Sequence, residues 1–273
     1  MTEQTLESDG HLEPMSLVEV HQTLLSMLAV VTELFDHHGL DYCLIGGGCL
    51  GIARHDHGFV PWDDDLDLAV WARDWQRLPE IFSHLPPPYA TFLKGSSYFP
   101  TFNVFDTSTH LSGARDTSSA GVFIDIVPMM IWPGKFSKLL DRVIGVLARP
   151  EPSQSPVAWK RWISKIICWL KVAPLFENFQ KKIFFSYILE WDRRLWIQEQ
   201  GLVTGAVGRP WRGKYPFEVI FPTQMSHIHQ VPVKIPRHLN QFLKTRYGED
   251  YLEIPDETQR WRHFQHAYRI RQS

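Results

Sequence analysis

Four carboxylates, Asp63, Asp64, Asp65 and Asp67, fall within five positions of this chain. They stand in the run Phe59-Val60-Pro61-Trp62-Asp63-Asp64-Asp65-Leu66-Asp67-Leu68, framed by apolar residues. Like charges this close repel, and each raises its neighbours' pKa. A divalent cation is the simplest compensator, because its charge favours the ionised form of every carboxylate near it. From Asp65 to Val70 acidic and apolar residues alternate, which is the period of a strand. Residues i and i+2 of a strand share a face, with Cα atoms roughly 6.5–7 Å apart. Asp65 and Asp67 are therefore the expected metal pair, and Asp63 joins them if the strand begins early. Asp64 is expected to face away and hold the preceding turn, while Leu66 and Leu68 fill the core side.

A further carboxylate, Asp125, sits in the apolar run Val122-Phe123-Ile124-Asp125-Ile126-Val127-Pro128. A lone carboxylate in such a strand is costly unless it is paired or metal-bound. On a neighbouring strand it becomes the third carboxylate of the site. Such a set suits phosphoryl transfer, where a cation neutralises phosphate charge and orients in-line attack. Upstream, Gly46-Gly47-Gly48 separates an expected strand, Tyr42 to Ile45, from an expected helix, Cys49 to Arg54. Glycines let backbone N–H groups approach a phosphate, and a helix N-terminus adds partial positive charge. Alone, a glycine triplet is more often a tight turn; beside these carboxylates it marks a phosphate wall. Arg54 could reach that phosphate, although it would serve equally as a solvated surface arginine. His55 and Trp62 complete the expected substrate-binding set. His55-Asp56-His57 resembles a metal-ligand cluster, yet His-x-His beside a glycine turn is more often a polar loop.

Several elements must position these groups. Residues 1–15 are expected to be disordered, 16–134 to form the catalytic core, 135–205 a basic, Trp-rich helical insertion, and 206–273 a segment completing the domain. Leu17, Val20, Leu24, Leu28, Val31, Leu34 and Phe35 recur at helical spacing, and Gly39 supplies the left-handed stop. Ala72 to His84 reads as a helix ended by Pro86-Pro87-Pro88. Phe99 to Phe105 and Val122 to Pro128 read as strands, the second closed by its proline. A final helix is predicted from Arg237 to Tyr247, stopped by Gly248. The fold class that follows is α/β of the α+β kind.

The chain has 273 residues, 44% of them apolar, enough for one large core. A net charge of −2 gives no argument for nucleic acid. Cys43, Cys49 and Cys168 are sparse and form no metal-ligand spacing, which fits a reducing, cytoplasmic setting without disulfides. The polar, acidic N-terminus predicts no signal peptide, and no membrane span is expected. Residues 135–194 nonetheless hold twelve basic and five acidic residues. There Trp159, Trp162, Ile163, Ile166, Ile167 and Trp169 interleave with Lys160, Arg161, Lys165 and Lys171. A helix of that kind can lie on the inner face of an anionic membrane; it can also cover a sheet with snorkelling cations.

Two segments carry a wider resemblance. Ile45-Gly46-Gly47-Gly48-Cys49-Leu50-Gly51-Ile52-Ala53-Arg54-His55, followed by Gly58-Phe59-Val60-Pro61-Trp62-Asp63-Asp64-Asp65-Leu66-Asp67, resembles the LicD family of phosphotransferases. The strand around Asp125 and the segment Phe242-Leu243-Lys244-Thr245-Arg246-Tyr247-Gly248-Glu249-Asp250-Tyr251 are similar to that family as well. The resemblance implies a nucleotidyltransferase core of the polymerase-β type, with a mixed sheet and a helical insertion. It implies Mg²⁺ (or Mn²⁺) on Asp65, Asp67 and Asp125, with Asp63 as a further ligand or base. It implies transfer of a phospho-alcohol from a CDP-activated donor, CDP-choline first, to a sugar hydroxyl of a surface glycan or glycolipid. Asp125 or His55 would then orient the hydroxyl. Transfer of ribitol or glycerol phosphate, transfer of a nucleotide monophosphate, and an inactive binding module are the alternatives. The chain departs from the family at Cys49, where a Thr or Ser is usual, and over residues 137–200, which match no motif of the family.

Overall fold

The computed structural model describes residues 12–94, 101–113, 121–132, 202–205, 214–260 and 262–271. The basic, Trp-rich insertion expected over 135–205 lies outside these residues, apart from Leu202–Gly205. Within the N-terminus expected to be disordered, Leu12–Met15 instead forms strand β1.

Helix α1 (Leu17–His37) starts where the sequence caps it. Ser16 Oγ accepts from the Glu19 amide at 3.3 Å, and the Glu19 carboxylate accepts from the Ser16 amide at 2.7 Å. This reciprocal box satisfies two amides that a helix start leaves without partners. Gly39, at φ 61°, ends the helix in the left-handed region. The α1 stripe of Val20, Leu24, Met27, Leu28, Val31 and Phe35 is buried, and the helix packs on the central strands. By length and composition alone, the 21 residues of α1 could cross a membrane. Its apolar stripe, however, is committed to the core.

Strand β2 (Tyr42–Ile45) is buried along its whole length and runs straight into helix α2 (Gly46–Arg54). The glycine triplet is thus the first turn of α2 and not a loop before it. Strand β3 (Leu66–Trp71) follows, then a 3-10 turn (Ala72–Arg77) and a short helix α3 (Leu78–Phe82), which together replace the single helix expected there. Strands β4 (Tyr89–Lys94), β5 (Thr101–Asp106), β6 (Thr109–Ser112) and β7 (Phe123–Trp132) come next. After β8 (Leu202–Gly205) and β9 (Lys214–Pro216) the chain forms helix α4 (Phe217–Ile220) and the hairpin β10 (Gln224–Ile228) and β11 (Val231–Ile235). Helix α5 (Leu239–Tyr247) stops at Gly248, as expected, and β12 (His266–Ile270) closes the chain.

The main sheet has the order β2-β3-β7-β5-β4, with β8 on β7 and β9 on β8. Its β3–β7 pair is parallel and the other pairs are antiparallel, so the sheet is mixed. Strand β7 passes through Pro128, which was expected to end it. Its antiparallel partner changes at that point: pairing with β5 stops at Ile126 and pairing with β8 starts at Met129. A residue without an N–H costs least in such a gap. A second sheet, β1-β12-β6, joins the two ends of the described chain.

Leu68 is wholly buried and projects to the core from the strand that carries Asp67. Leu68→Ala is expected to lower unfolding free energy by about 2–5 kcal/mol. Val18→Ala, at a position 65% exposed, should stay within about 0.5 kcal/mol of the parent. Urea titration followed by circular dichroism measures both.

Candidate active site

One row of the main sheet reads Ile45, Asp67, Asp125 and Asn103 across β2, β3, β7 and β5. Parallel pairing of β3 with β7 places Asp67 directly beside Asp125. Asp65 stands two residues before Asp67, just ahead of β3. Carboxylate oxygens of Asp65, Asp67 and Asp125 all lie within 4.8 Å of one another. Asp65 is 7% exposed, and the other two are half-buried. The amide Nδ2 of Asn103, wholly buried, donates to Asp125 Oδ1 at 2.8 Å. The alternation of residues 65–67 thus converges as the sequence implied, and the lone carboxylate of the apolar strand is their neighbour.

The first turn of α2 lies against this group. A Cβ on Gly46, whose φ is +64°, would fall 2.5 Å from Asp67 Oδ2, and one on Gly47 would overlap Asp63 Oδ2. Gly48 faces the other way, where a Cβ would press on the Leu44 side chain at 2.8 Å. Two of the three glycines therefore permit close approach to carboxylates and the third permits close packing. Cys49 is fully buried and donates its thiol to the Leu44 carbonyl at 3.1 Å, so it offers no substitute for a hydroxyl at a phosphate.

Burial and mutual repulsion dominate the electrostatics. Burial, then the charges of Asp67, Asp63 and Asp125, hold the Asp65 pKa well above the usual carboxylate range. Asp67 is pushed up to about 7 by burial and by Asp125, against the opposing fields of His263 and Arg246. Asp63 is pushed up to about 6 by burial and by Asp64. A centre of hard oxygen donors that repel one another when ionised fits a small divalent cation. Asp65, Asp67 and Asp125 could hold it, with Asp63 adjacent.

Asp64, expected to face away and hold the preceding turn, instead holds the C-terminal segment, and with Asp65 and His263 it forms a second group whose ligand atoms lie within 4.8 Å of one another. It is 1% exposed and accepts from the backbone N–H groups of His263 at 2.8 Å and Phe264 at 3.4 Å. His263 Nδ1 lies 2.9 Å from Asp64 Oδ1 and 3.5 Å from Asp65 Oδ2. Burial works against protonation of His263, but Asp64 and the surrounding carboxylates outweigh it and raise its pKa. His263 and Arg246 were not anticipated as parts of this centre. Neither is flagged by its own neighbours in sequence, since the C-terminal segment and the packing of α5 on α2 bring them in.

The structure does not bring Arg54 and His55 to the triad. Arg54 Nη1 donates to the carbonyls of Tyr251 at 3.0 Å and Glu253 at 2.8 Å, and its Nε to His55 Nε2 at 3.1 Å. At 1.5 Å per residue, His55 stands about 13 Å along the α2 axis from Gly46. It lines a cavity of about 650 Å³ together with Leu17, His21, Phe59 and His229. Trp62 is half-buried, and its ring already carries the guanidinium groups of Arg54 at 5.6 Å and Arg260 at 4.4 Å. His55 and His57 belong to neither of the converging ligand groups found among the described residues.

Comparison with known proteins agrees with this geometry. Residues 39–141 match the family described as LicD/FKTN/FKRP, nucleotidyltransferase domain. The match spans β2, α2, the loop before β3, β3 and β7, which together carry the glycines and all of the carboxylates. The lipopolysaccharide cholinephosphotransferase LicD of Haemophilus influenzae is 25% identical over 278 aligned residues, covering 94% of this chain and 99% of that protein. Over residues 39–141 the chain is thus similar to the LicD family, and over nearly its whole length to the Haemophilus protein.

Proposed function

We propose that this chain transfers a phospho-alcohol, phosphocholine first, from a CDP-activated donor to a sugar hydroxyl of a surface glycan or glycolipid. The convergence of Asp65, Asp67 and Asp125 beneath the first turn of α2 carries the proposal. The Haemophilus relative is a lipopolysaccharide cholinephosphotransferase, which favours phosphocholine over other alcohols. A nucleotidyltransferase core is supported by the family match and by the parallel β3–β7 pair that assembles the carboxylates. A cytoplasmic setting is supported by Cys43 and Cys49, both free and buried thiols.

Asp65, Asp67 and Asp125 would hold Mg²⁺ or Mn²⁺, which would neutralise charge on the transferred phosphate. The remaining tasks fall to the chain itself. The amides at the start of α2 and the positive end of its dipole face the donor's phosphates. Arg246, whose field already reaches Asp67, shares that negative charge. The acceptor oxygen forms a bond to the distal phosphorus, the bond from that phosphorus to the CMP oxygen breaks, and CMP leaves with the electron pair. The hydroxyl proton passes to Asp63, which stands beside the triad against the first turn of α2. The Asp64–His263 contact fixes the loop that presents Asp63 and Asp65.

Donor labelled separately in its two phosphates distinguishes the reactions this centre could run. With CDP-choline and a lipopolysaccharide acceptor, the distal phosphate should appear in the product and CMP in solution. Proximal label in the product would indicate nucleotide transfer and overturn the proposal. Asp67→Asn should lower CMP release at least about 100-fold; full activity would remove Asp67 from the centre.

The raised carboxylates also set a pH dependence. Asp63 and Asp67 hold protons more tightly folded, at about 6 and about 7, than unfolded, near 3.9. The stabilisation they give is complete below about pH 4 and is lost as pH rises through 6–7. Without divalent cations, the melting temperature of the wild type relative to Asp67→Asn should therefore fall between pH 5 and pH 7.5. Saturating Mn²⁺ should reverse that fall. A relative melting temperature that rose with pH in metal-free buffer would contradict the account.

A further inference from the structure

Asn103 lies mid-way along β5, at the register position facing Asp125. Its side chain is completely buried. Nδ2 donates to Asp125 Oδ1 at 2.8 Å, whereas Oδ1 of the amide is buried without a hydrogen-bond partner among the described residues. A flipped amide would set oxygen against carboxylate oxygen, so Asp125 dictates which way the group points.

A buried amide with an orphaned acceptor weakens a fold, because the desolvated oxygen recovers nothing. A leucine at 103 would have the same branched outline without the orphan. Packing alone therefore does not call for asparagine here; the contact with Asp125 does. A carboxylate that ligates a metal needs a partner to hold its rotamer, and such partners tune affinity without touching the ion.

We propose that Asn103 is a positioning residue: it holds the Asp125 carboxylate in the orientation that brings it within 4.8 Å of Asp65 and Asp67. The inference rests on the proposed cation site at that triad. Asn103 acts through Asp125 and touches neither donor nor acceptor. Its removal is felt first as weaker cation binding, not as a looser fold.

The test is a Mn²⁺ titration of the full chain, with free Mn²⁺ followed by electron paramagnetic resonance. Thermal melts are recorded in parallel on the wild type, Asn103→Leu and Asn103→Ala. Asn103→Leu removes the orphaned acceptor but also the donor to Asp125, so its melting temperature should stay close to that of the wild type. Both variants should bind Mn²⁺ at least about tenfold more weakly. Should Asn103→Leu fail to fold, Asn103→Ala, which adds no bulk, decides the matter through its affinity per folded molecule. Wild-type affinity in a folded variant would overturn the role of Asn103 and leave the cation site standing. No Mn²⁺ binding by the wild type would overturn the cation site and the inference together.

Discussion

The repulsion among Asp63, Asp65, Asp67 and Asp125 is the constraint around which the described structure is arranged. Burial and neighbouring charge raise the pKa of Asp63, Asp65 and Asp67, so an all-ionised centre is unfavourable without a cation. The fold nevertheless forces these groups together. Parallel pairing seats Asp67 against Asp125, and the apolar alternation of β3 and β7 fixes which face they share. Slipping either strand by one residue would turn a carboxylate into the core, at a cost no packing offsets.

Much of the rest of the chain answers that constraint. Gly46 and Gly47 have no side chain, which lets the first turn of α2 sit against the carboxylates. Asn103 steadies Asp125 from the next strand. The C-terminal segment closes the centre from the other side. Asp64 takes the His263 and Phe264 amides, Arg54 takes the Tyr251 and Glu253 carbonyls, and Trp62 lies between α2 and Arg260. Strand β12, inserted between β1 and β6, anchors that segment to the beginning of the chain.

The parts legible in the sequence are those governed by local periodicity. Asp65 and Asp67 share a face because strands repeat every two residues, and Asp125 stood out as one charge in an apolar run. The span and stop of α1 were written in its apolar spacing and in Gly39, while the Ser16–Glu19 cap went unread. What escaped depended on distant partners. Gly46 to Gly48 suggested a turn before the helix, yet the helix begins at Gly46, and the missing Cβ atoms let its first turn sit against the carboxylates. Pro128 suggested a strand end, yet a change of partner strand absorbs its missing N–H. Arg54 suggested a phosphate contact, yet carbonyls some two hundred residues later claim it. His263, Arg246 and Asn103 carry no local pattern, since tertiary packing alone makes them neighbours of the carboxylates.

Whether the carboxylate repulsion is resolved by a cation at the predicted place is the central claim. A crystal of the full chain soaked in Mn²⁺, with anomalous diffraction recorded at the manganese edge, tests it directly. The account predicts a peak among Asp65, Asp67 and Asp125, about 2.0–2.3 Å from an oxygen of each. A peak only at Asp64 and His263, or none at saturating Mn²⁺, would contradict it.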